Sequence, residues 1–169
     1  MTKEKNTIAK IIATGFGSGY SPIAPGTAGA LVGCLLLWAL QHFFPVYFSG
    51  ELAWAGLWAL LLIFFLLGVK CTDVLEPEWG HDPQRIVVDE MVGVWTAMLF
   101  VPFNLLHLAV AFVLFRIFDI WKPLGIRQME KLGGGWGVMM DDVLAGVYSL
   151  IVMHLCKQFL MSWPTDPLP

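Results

Sequence analysis

The chain has 169 residues, enough for one compact domain and short for two. Its composition is 57% hydrophobic and 14% charged, against roughly 45–50% and ~25% in ordinary soluble domains, an apolar load that a bilayer can cover and a soluble fold of this size cannot. The formal net charge is −3 and the ten Lys and Arg are scattered singly, which excludes a basic stripe tracking a nucleic-acid backbone.

The polar segment 1–10 is not followed by a short apolar run with a small-residue cleavage site, which argues against a removable signal peptide. Segment 15–27 is irregular by composition, with four glycines and two prolines, and lacks the Gly-Lys-Ser/Thr ending of a P-loop. Thr27 is a plausible N-cap for the helix that follows. Backbone amides beside a helix N-terminus suit a phosphate, so Gly17, Ser18, Gly19, Gly26 and Thr27 are candidate substrate contacts.

Five apolar stretches come next, at about 28–48, 52–69, 86–103, 105–121 and 138–161. Each is near the ~20 residues a helix needs to cross the hydrocarbon core. The expected fold is an all-α, polytopic membrane helix bundle of about five apolar helices, four to five of them spanning, in one domain over 1–169. Very short connections at 49–51 and 102–104 make the flanking helices antiparallel hairpins. Segment 162–169 reads as a short exposed tail.

Lysine and arginine placement orients the bundle. With the N-terminus inside, the cytoplasmic pieces 1–27, 70–85 and about 116–137 hold nine of the ten basic residues, and the opposite loops hold none. Lys157 lies near the outer end of the last helix.

Ionisable groups inside apolar helices cost at least ~2.5–3.5 kcal/mol at mid-bilayer, so each is a functional candidate. Here they are Asp89, Glu90, Arg116, Asp119, Asp141 and Asp142, all within a few turns of the cytoplasmic surface. Asp82-Pro83 reads as an N-cap and first helical proline, placing Asp89 nearly two turns into the third helix. Asp89, Gly93 and Thr96 then form a small polar stripe facing the bundle interior. Arg116, Asp119 and Lys122 are spaced by three on one side of the fourth helix, which Pro123 ends at Lys122. Asp141 and Asp142 open the fifth helix after the flexible 133–137. Structural alternatives stay open at each place: an Arg85–Asp89 pair, an Arg116–Asp119 pair, and capping by one of the two late aspartates.

Clustered carboxylates repel unless protonated or bridged by cations. An oxygen-only ligand set favours Mg²⁺, which commonly binds carboxylates together with substrate phosphate oxygens. Asp89, Glu90, Asp119 and Asp142 are the candidate metal ligands. With Asp141 they are the candidate catalytic groups, while Arg116 and Lys122 supply charge for an anion. This constellation reads as magnesium-assisted phosphate chemistry at a membrane surface. His81 lies in the acidic loop 73–82, where a solvated loop role outweighs a proton-transfer one. His42, His107 and His154 are isolated in apolar helices and read as structural. Cys34, Cys71 and Cys156 share no metal or redox spacing. The eight tryptophans, mostly near predicted helix ends, read as interfacial anchors.

The motifs also carry a family resemblance. Loop 15–27, Val88-Asp89-Glu90-Met91-Val92-Gly93, Phe115-Arg116-Ile117-Phe118-Asp119-Ile120-Trp121-Lys122-Pro123 and Asp141-Asp142-Val143-Leu144-Ala145-Gly146 resemble phosphatidylglycerophosphatase A, in order, over roughly 10–150. The resemblance implies a bacterial inner-membrane, Mg²⁺-dependent lipid phosphatase, with its active site facing the cytoplasm, that converts phosphatidylglycerophosphate to phosphatidylglycerol. No Cys-x5-Arg phosphatase loop is present. Attacking water and an aspartyl-phosphate both remain open, with metal-activated water favoured. Two other classes fit the sequence less well. A lipid-headgroup transferase lacks its Asp-Gly-x2-Ala-Arg pattern, and a small cation transporter should place its polar residues near mid-membrane.

Overall fold

The computed structural model describes residues 3–45, 52–80 and 83–159. Among them the chain forms α1 (Lys3–Ala13), α2 (Pro25–Phe43), α3 (Leu52–Trp79), α4 (Val88–Ala97), α5 (Leu105–Trp121), the single turn α6 (Ile126–Met129) and α7 (Gly134–Phe159). No strand occurs among the described residues, as expected for an all-α bundle. The connection 49–51, His81, the Asp82 cap and the tail 162–169 lie outside the described residues.

Among the described residues, three helices are long and apolar enough to cross a membrane: Pro25–Phe43, Trp54–Trp79 and Gly134–Cys156. Helix α5, at 17 residues, rises ~25 Å and comes close to the ~30 Å core. Helix α4 is different. The apolar stretch 86–103 yields only ten helical residues, ~15 Å of rise, too short to span by itself. All of them except Glu90 are buried. Helix α4 is thus the hub of the bundle, packed by α2, α3, α5 and α7.

Several expected boundaries shift, each for a local reason. Helix α2 starts at Pro25, the favoured first helical position for proline, with Ala24 as N-cap, so Thr27 lies inside the first turn. Helix α4 starts at Val88 because the Val87 N–H donates to the Ala13 carbonyl (2.8 Å), holding the preceding chain out of helix. Arg85 therefore lies before the helix, and its expected i,i+4 pairing with Asp89 does not arise. Its guanidinium lies over the Trp79 ring, 5.5 Å from the centroid. Segment 70–79, expected as part of a loop, continues α3 through Pro77 to Trp79. Helix α7 starts at Gly134, where Asp73 of α3 accepts the Gly135 N–H (2.6 Å). The polar segment 1–10 is mostly helix as well.

Other expectations hold. Helix α5 ends at Trp121, and Lys122 is its C-cap in the left-handed region (φ 46°) ahead of Pro123. The Asn104 side chain accepts from the His107 N–H (2.7 Å) and caps the start of α5. His107 Nδ1 meets the Pro102 carbonyl, His154 Nδ1 meets the Leu150 carbonyl, and His42 stacks on Trp38. Trp38, Trp58, Trp121 and Trp136 are exposed, whereas Trp95 corrects the anchor reading: it is fully buried and donates to the Gly33 carbonyl (2.8 Å).

The outer surface carries large apolar side chains such as Leu35, Leu62, Ile63, Val113, Ile120 and Ile151. An apolar exterior around a partly polar interior is what hydrocarbon, not water, stabilises. Inside, α4 and α7 approach backbone to backbone. A Cβ on Gly146 would overlap the Gly93 carbonyl oxygen and lie 2.8 Å from Thr96 Cβ. A Cβ on Gly93 would overlap the Phe115 ring and lie 2.9 Å from the Asp142 carbonyl oxygen. Small residues at such crossings are how membrane helices gain packing contact.

Candidate active site

Four helices bring their polar residues to one cleft of about 390 Å³. It is lined by Ala24, Pro25 and Gly26 at the start of α2, and by Asp89 and Glu90 in the first turn of α4. Arg116 and Asp119 come from the last turns of α5, Lys122 from its C-cap, and Asp141 and Asp142 from α7. All five acidic candidates and both basic ones therefore meet at one place, although they come from separate helices.

The carboxylates of Asp89, Glu90 and Asp142 form the tightest group, each offering an oxygen within 4.8 Å of the others. Asp89, Asp141 and Asp142 are 7%, 6% and 3% exposed. Asp89 Oδ1 accepts the Glu90 N–H (3.1 Å) and Asp141 Oδ1 accepts the Asp142 N–H (3.0 Å), so each adjacent acidic pair is held by its own backbone. Asp119, expected among the metal ligands, lines the same cleft outside this group. Its Oδ2 accepts from Arg116 Nη1 at 2.5 Å, and the same nitrogen lies 4.0 Å from Glu90 Oε1.

Among the described residues, two buried atoms here have no hydrogen-bond partner, Glu90 Oε2 and Arg116 Nε. An unsatisfied buried carboxylate oxygen costs about 1–3 kcal/mol or more, so its presence at a candidate site calls for a ligand. Three clustered carboxylates, all hard oxygen donors, one of them with an orphaned oxygen, fit a divalent cation of the Mg²⁺ type.

Asp141 is engaged differently. Its Oδ2 accepts from Lys122 Nζ at 2.7 Å, and Glu130 Oε1 accepts from the same ammonium at 2.5 Å. Partial burial works against the charge on Lys122, but the hydrogen bonds it donates to Asp141 and Glu130 outweigh it and push its pKa above the ordinary lysine value. Lys122 is thereby fixed at the cleft rim as a permanent cation.

Segment 15–27 reaches the cleft only at its end. The Gly17 N–H is used by Thr14, the Gly19 N–H by the Thr14 carbonyl, and the Ser18 N–H by the Gly15 carbonyl. Ser18 Oγ donates to the Thr14 and Gly15 carbonyls. These groups fold the turn, so Gly17, Ser18 and Gly19 do not line the carboxylate cleft, and neither does Thr27. Gly26 does, and it lies hard against the site: a Cβ there would overlap Glu90 Oε1, forcing that side chain to move, and would lie 3.2 Å from Arg116 Nη1. Asp141 and Asp142 lie two turns inside α7, which removes the helix-capping alternative for them. Sequence reasoning missed Gln84, Ile86, Ala24 and Pro25 in the wall, and Glu130 behind Lys122. Pro25 had a readable signal as a first helical residue; Ala24, Gln84 and Ile86 have none, being neutral residues outside the helices, and Glu130 is brought to Lys122 only by the tertiary fold.

Comparison with known proteins gives the family. The family model for Phosphatidylglycerophosphatase A matches residues 11–157. The chain is 36% identical over 161 residues to Phosphatidylglycerophosphatase A of Escherichia coli, covering 91% of this chain and 84% of that protein. It is 38% identical over 158 residues to Phosphatidylglycerophosphatase A of Haemophilus influenzae, covering 89% and 90%. It is also 51% identical over 158 residues to a Bacteroides thetaiotaomicron protein provisionally named a phosphatidylinositol-3-phosphatase, covering 92% and 97%. No solved structure matches. A membrane-embedded cleft of carboxylates and an arginine, on a chain so matched along most of its length, places this protein in the phosphatidylglycerophosphatase A family of phosphoric monoester hydrolases.

Proposed function

We propose that the protein is a Mg²⁺-dependent lipid phosphatase that hydrolyses phosphatidylglycerophosphate to phosphatidylglycerol and inorganic phosphate at the cytoplasmic face of a bacterial inner membrane. The observation that carries this reading is the Asp89–Glu90–Asp142 carboxylate group beside Arg116, inside an apolar helix bundle. A phosphomonoester needs positive charge around it, and a lipid substrate needs a site reachable from the bilayer; the family supplies the lipid by analogy.

Asp89, Glu90 and Asp142 would hold Mg²⁺, with Asp119 close by in the same cleft. When bound, the ion supplies positive charge that offsets the phosphate oxygens and eases approach of a nucleophile. Arg116 presents its fork to the non-bridging oxygens, and its unpartnered Nε is the donor left for them. Asp119, steadied by Arg116, takes the proton of the attacking water as the new P–O bond forms. The glycerol–phosphorus ester bond breaks, and the same proton passes to the leaving glycerol oxygen. Asp141 positions Lys122 at the rim, where its charge draws the anionic headgroup in.

Phosphate release from phosphatidylglycerophosphate in zwitterionic micelles tests the reading. Turnover should vanish on chelation with EDTA and return with added Mg²⁺. Full activity in EDTA after dialysis would sink the metal assignment and leave Arg116 and Lys122 to carry the charge. A second substrate, phosphatidylinositol 3-phosphate, is favoured by the name of the 51% identical relative. Both lipids should be run side by side, and a higher kcat/KM on the inositol lipid would move the assignment to it.

A further inference from the structure

Beside the carboxylate cleft lies a second one of about 560 Å³, walled by Gly19, Tyr20 and Ser21, by Glu78 and Trp79 at the end of α3, and by Arg85. The two clefts share Pro25 and Gln84, so they adjoin. We propose that this second cleft binds a second phosphate-type anion, the phosphodiester of the lipid headgroup, with Arg85 as its cation, while the phosphomonoester occupies the carboxylate cleft. The inference rests on the lipid-phosphatase reading and holds for either lipid named there, since both carry a phosphodiester a few bonds from the monoester.

Three observations carry it. The first is charge. The acid in this wall, Glu78, is ion-paired with Lys10, so its charge is offset. Arg85 has no carboxylate partner among the described residues; its guanidinium lies over the Trp79 ring, 5.5 Å from the centroid, which leaves its fork of donors for an anion. The second is depth. Trp79 ends α3, whose last ten residues include Lys70, Asp73, Glu76 and Glu78, so the cleft lies past the apolar part of the candidate span, on the side of the bundle where lipid headgroups would be reached. The third is construction. The Arg85 carbonyl oxygen occupies the place a Cβ on Gly19 would take, so the 18–20 turn is seated directly against the Arg85 backbone. This gives Gly19 a role the carboxylate cleft does not: it lets the two walls of the second cleft meet.

The test is kinetic, on the full-length protein in zwitterionic micelles. Arg85 is exposed, so Arg85→Ala should fold. Its KM for phosphatidylglycerophosphate should rise about 10-fold with kcat within about two-fold, the size expected for a lost charge-assisted contact, and Arg85→Lys should recover part of it. Product inhibition separates the two clefts. Phosphatidylglycerol keeps the phosphodiester and lacks the monoester, and its inhibition constant should weaken about 10-fold in Arg85→Ala. Inorganic phosphate, the probe for the carboxylate cleft, should inhibit as in the wild type. An unchanged KM, an unchanged phosphatidylglycerol inhibition constant, or equal weakening of both products overturns the second site. Absence of wild-type turnover on the glycerol lipid would count instead against the substrate assignment, and the same series would then be run on phosphatidylinositol 3-phosphate.

Discussion

Glu90 and Arg116 each keep one buried polar atom unmatched, yet they face one another across 4.0 Å with Gly26 wedged beside both. A purely structural ion pair would be expected to use its donors and acceptors more fully. The arrangement instead suits two groups waiting for a phosphate and a cation. Asp89→Asn, Asp119→Asn and Asp142→Asn should each lower turnover by ~10² or more at equal membrane yield. Normal activity in all three would mean the acids are structural. Arg116→Lys conserves charge but loses the planar fork, and should cost roughly 10² in kcat/KM with yield unchanged. If yield falls while specific activity holds, Arg116 is a structural partner of Asp119. Gly26→Ala pushes a methyl into Glu90 and towards Arg116, and displacements of that order cost about 10²-fold in rate. Wild-type kinetics in that variant would show that the start of α2 is not part of the site.

At the scale of elements, the site depends on how closely α4 and α7 approach. Both carry acids, Asp89 and Glu90 on one and Asp141 and Asp142 on the other, and Gly93 and Gly146 set their separation. Alanine is the better helix former by about 1 kcal/mol, so propensity alone predicts that Gly146→Ala stabilises. Packing predicts the reverse, because the added methyl meets the Gly93 carbonyl oxygen. Such overpacking costs roughly 1–3 kcal/mol, enough to lower the midpoint of thermal inactivation in detergent by several degrees. A raised midpoint would show that the crossing has slack. The Asp73 carboxylate on the Gly135 N–H is a second such joint, tying the start of α7 to α3 rather than to its own loop.

At the scale of the whole molecule, the polar cleft, Lys122 and the Lys10–Glu78 pair gather at one end of the bundle, which we propose faces the cytoplasm on the strength of the Lys/Arg bias. A reporter fused after Pro169 should therefore be periplasmic, and one inserted near Gly134 cytoplasmic. Reports from the same side would mean that α7 does not cross and that the orientation fails. Because α4 is too short to span, the α4–α5 hairpin should contribute one full-length segment rather than two. Cysteine accessibility along 98–104 measures how deep its tip lies.

Much of this architecture was legible in the sequence, because its causes are local or compositional. Apolar stretches of bilayer length mark the helices, Pro123 stops α5, and charges inside apolar segments single out Asp89, Glu90, Arg116, Asp119, Asp141 and Asp142 before any geometry is known. What tertiary structure alone decided is where helices begin and which polar groups are already in use. The Val87–Ala13 and Asp73–Gly135 bonds shift α4 and α7 by several residues, and no local pattern encodes a partner about 60 to 75 positions away. The amides of 17–19 look free in sequence and are consumed by their own turn, while Gly26 looks like any loop glycine and proves to lie against Glu90 and Arg116. Backbone hydrogen bonds are satisfied wherever the fold offers a partner, so whether an amide is left for a ligand is a property of the packed structure and not of the residue.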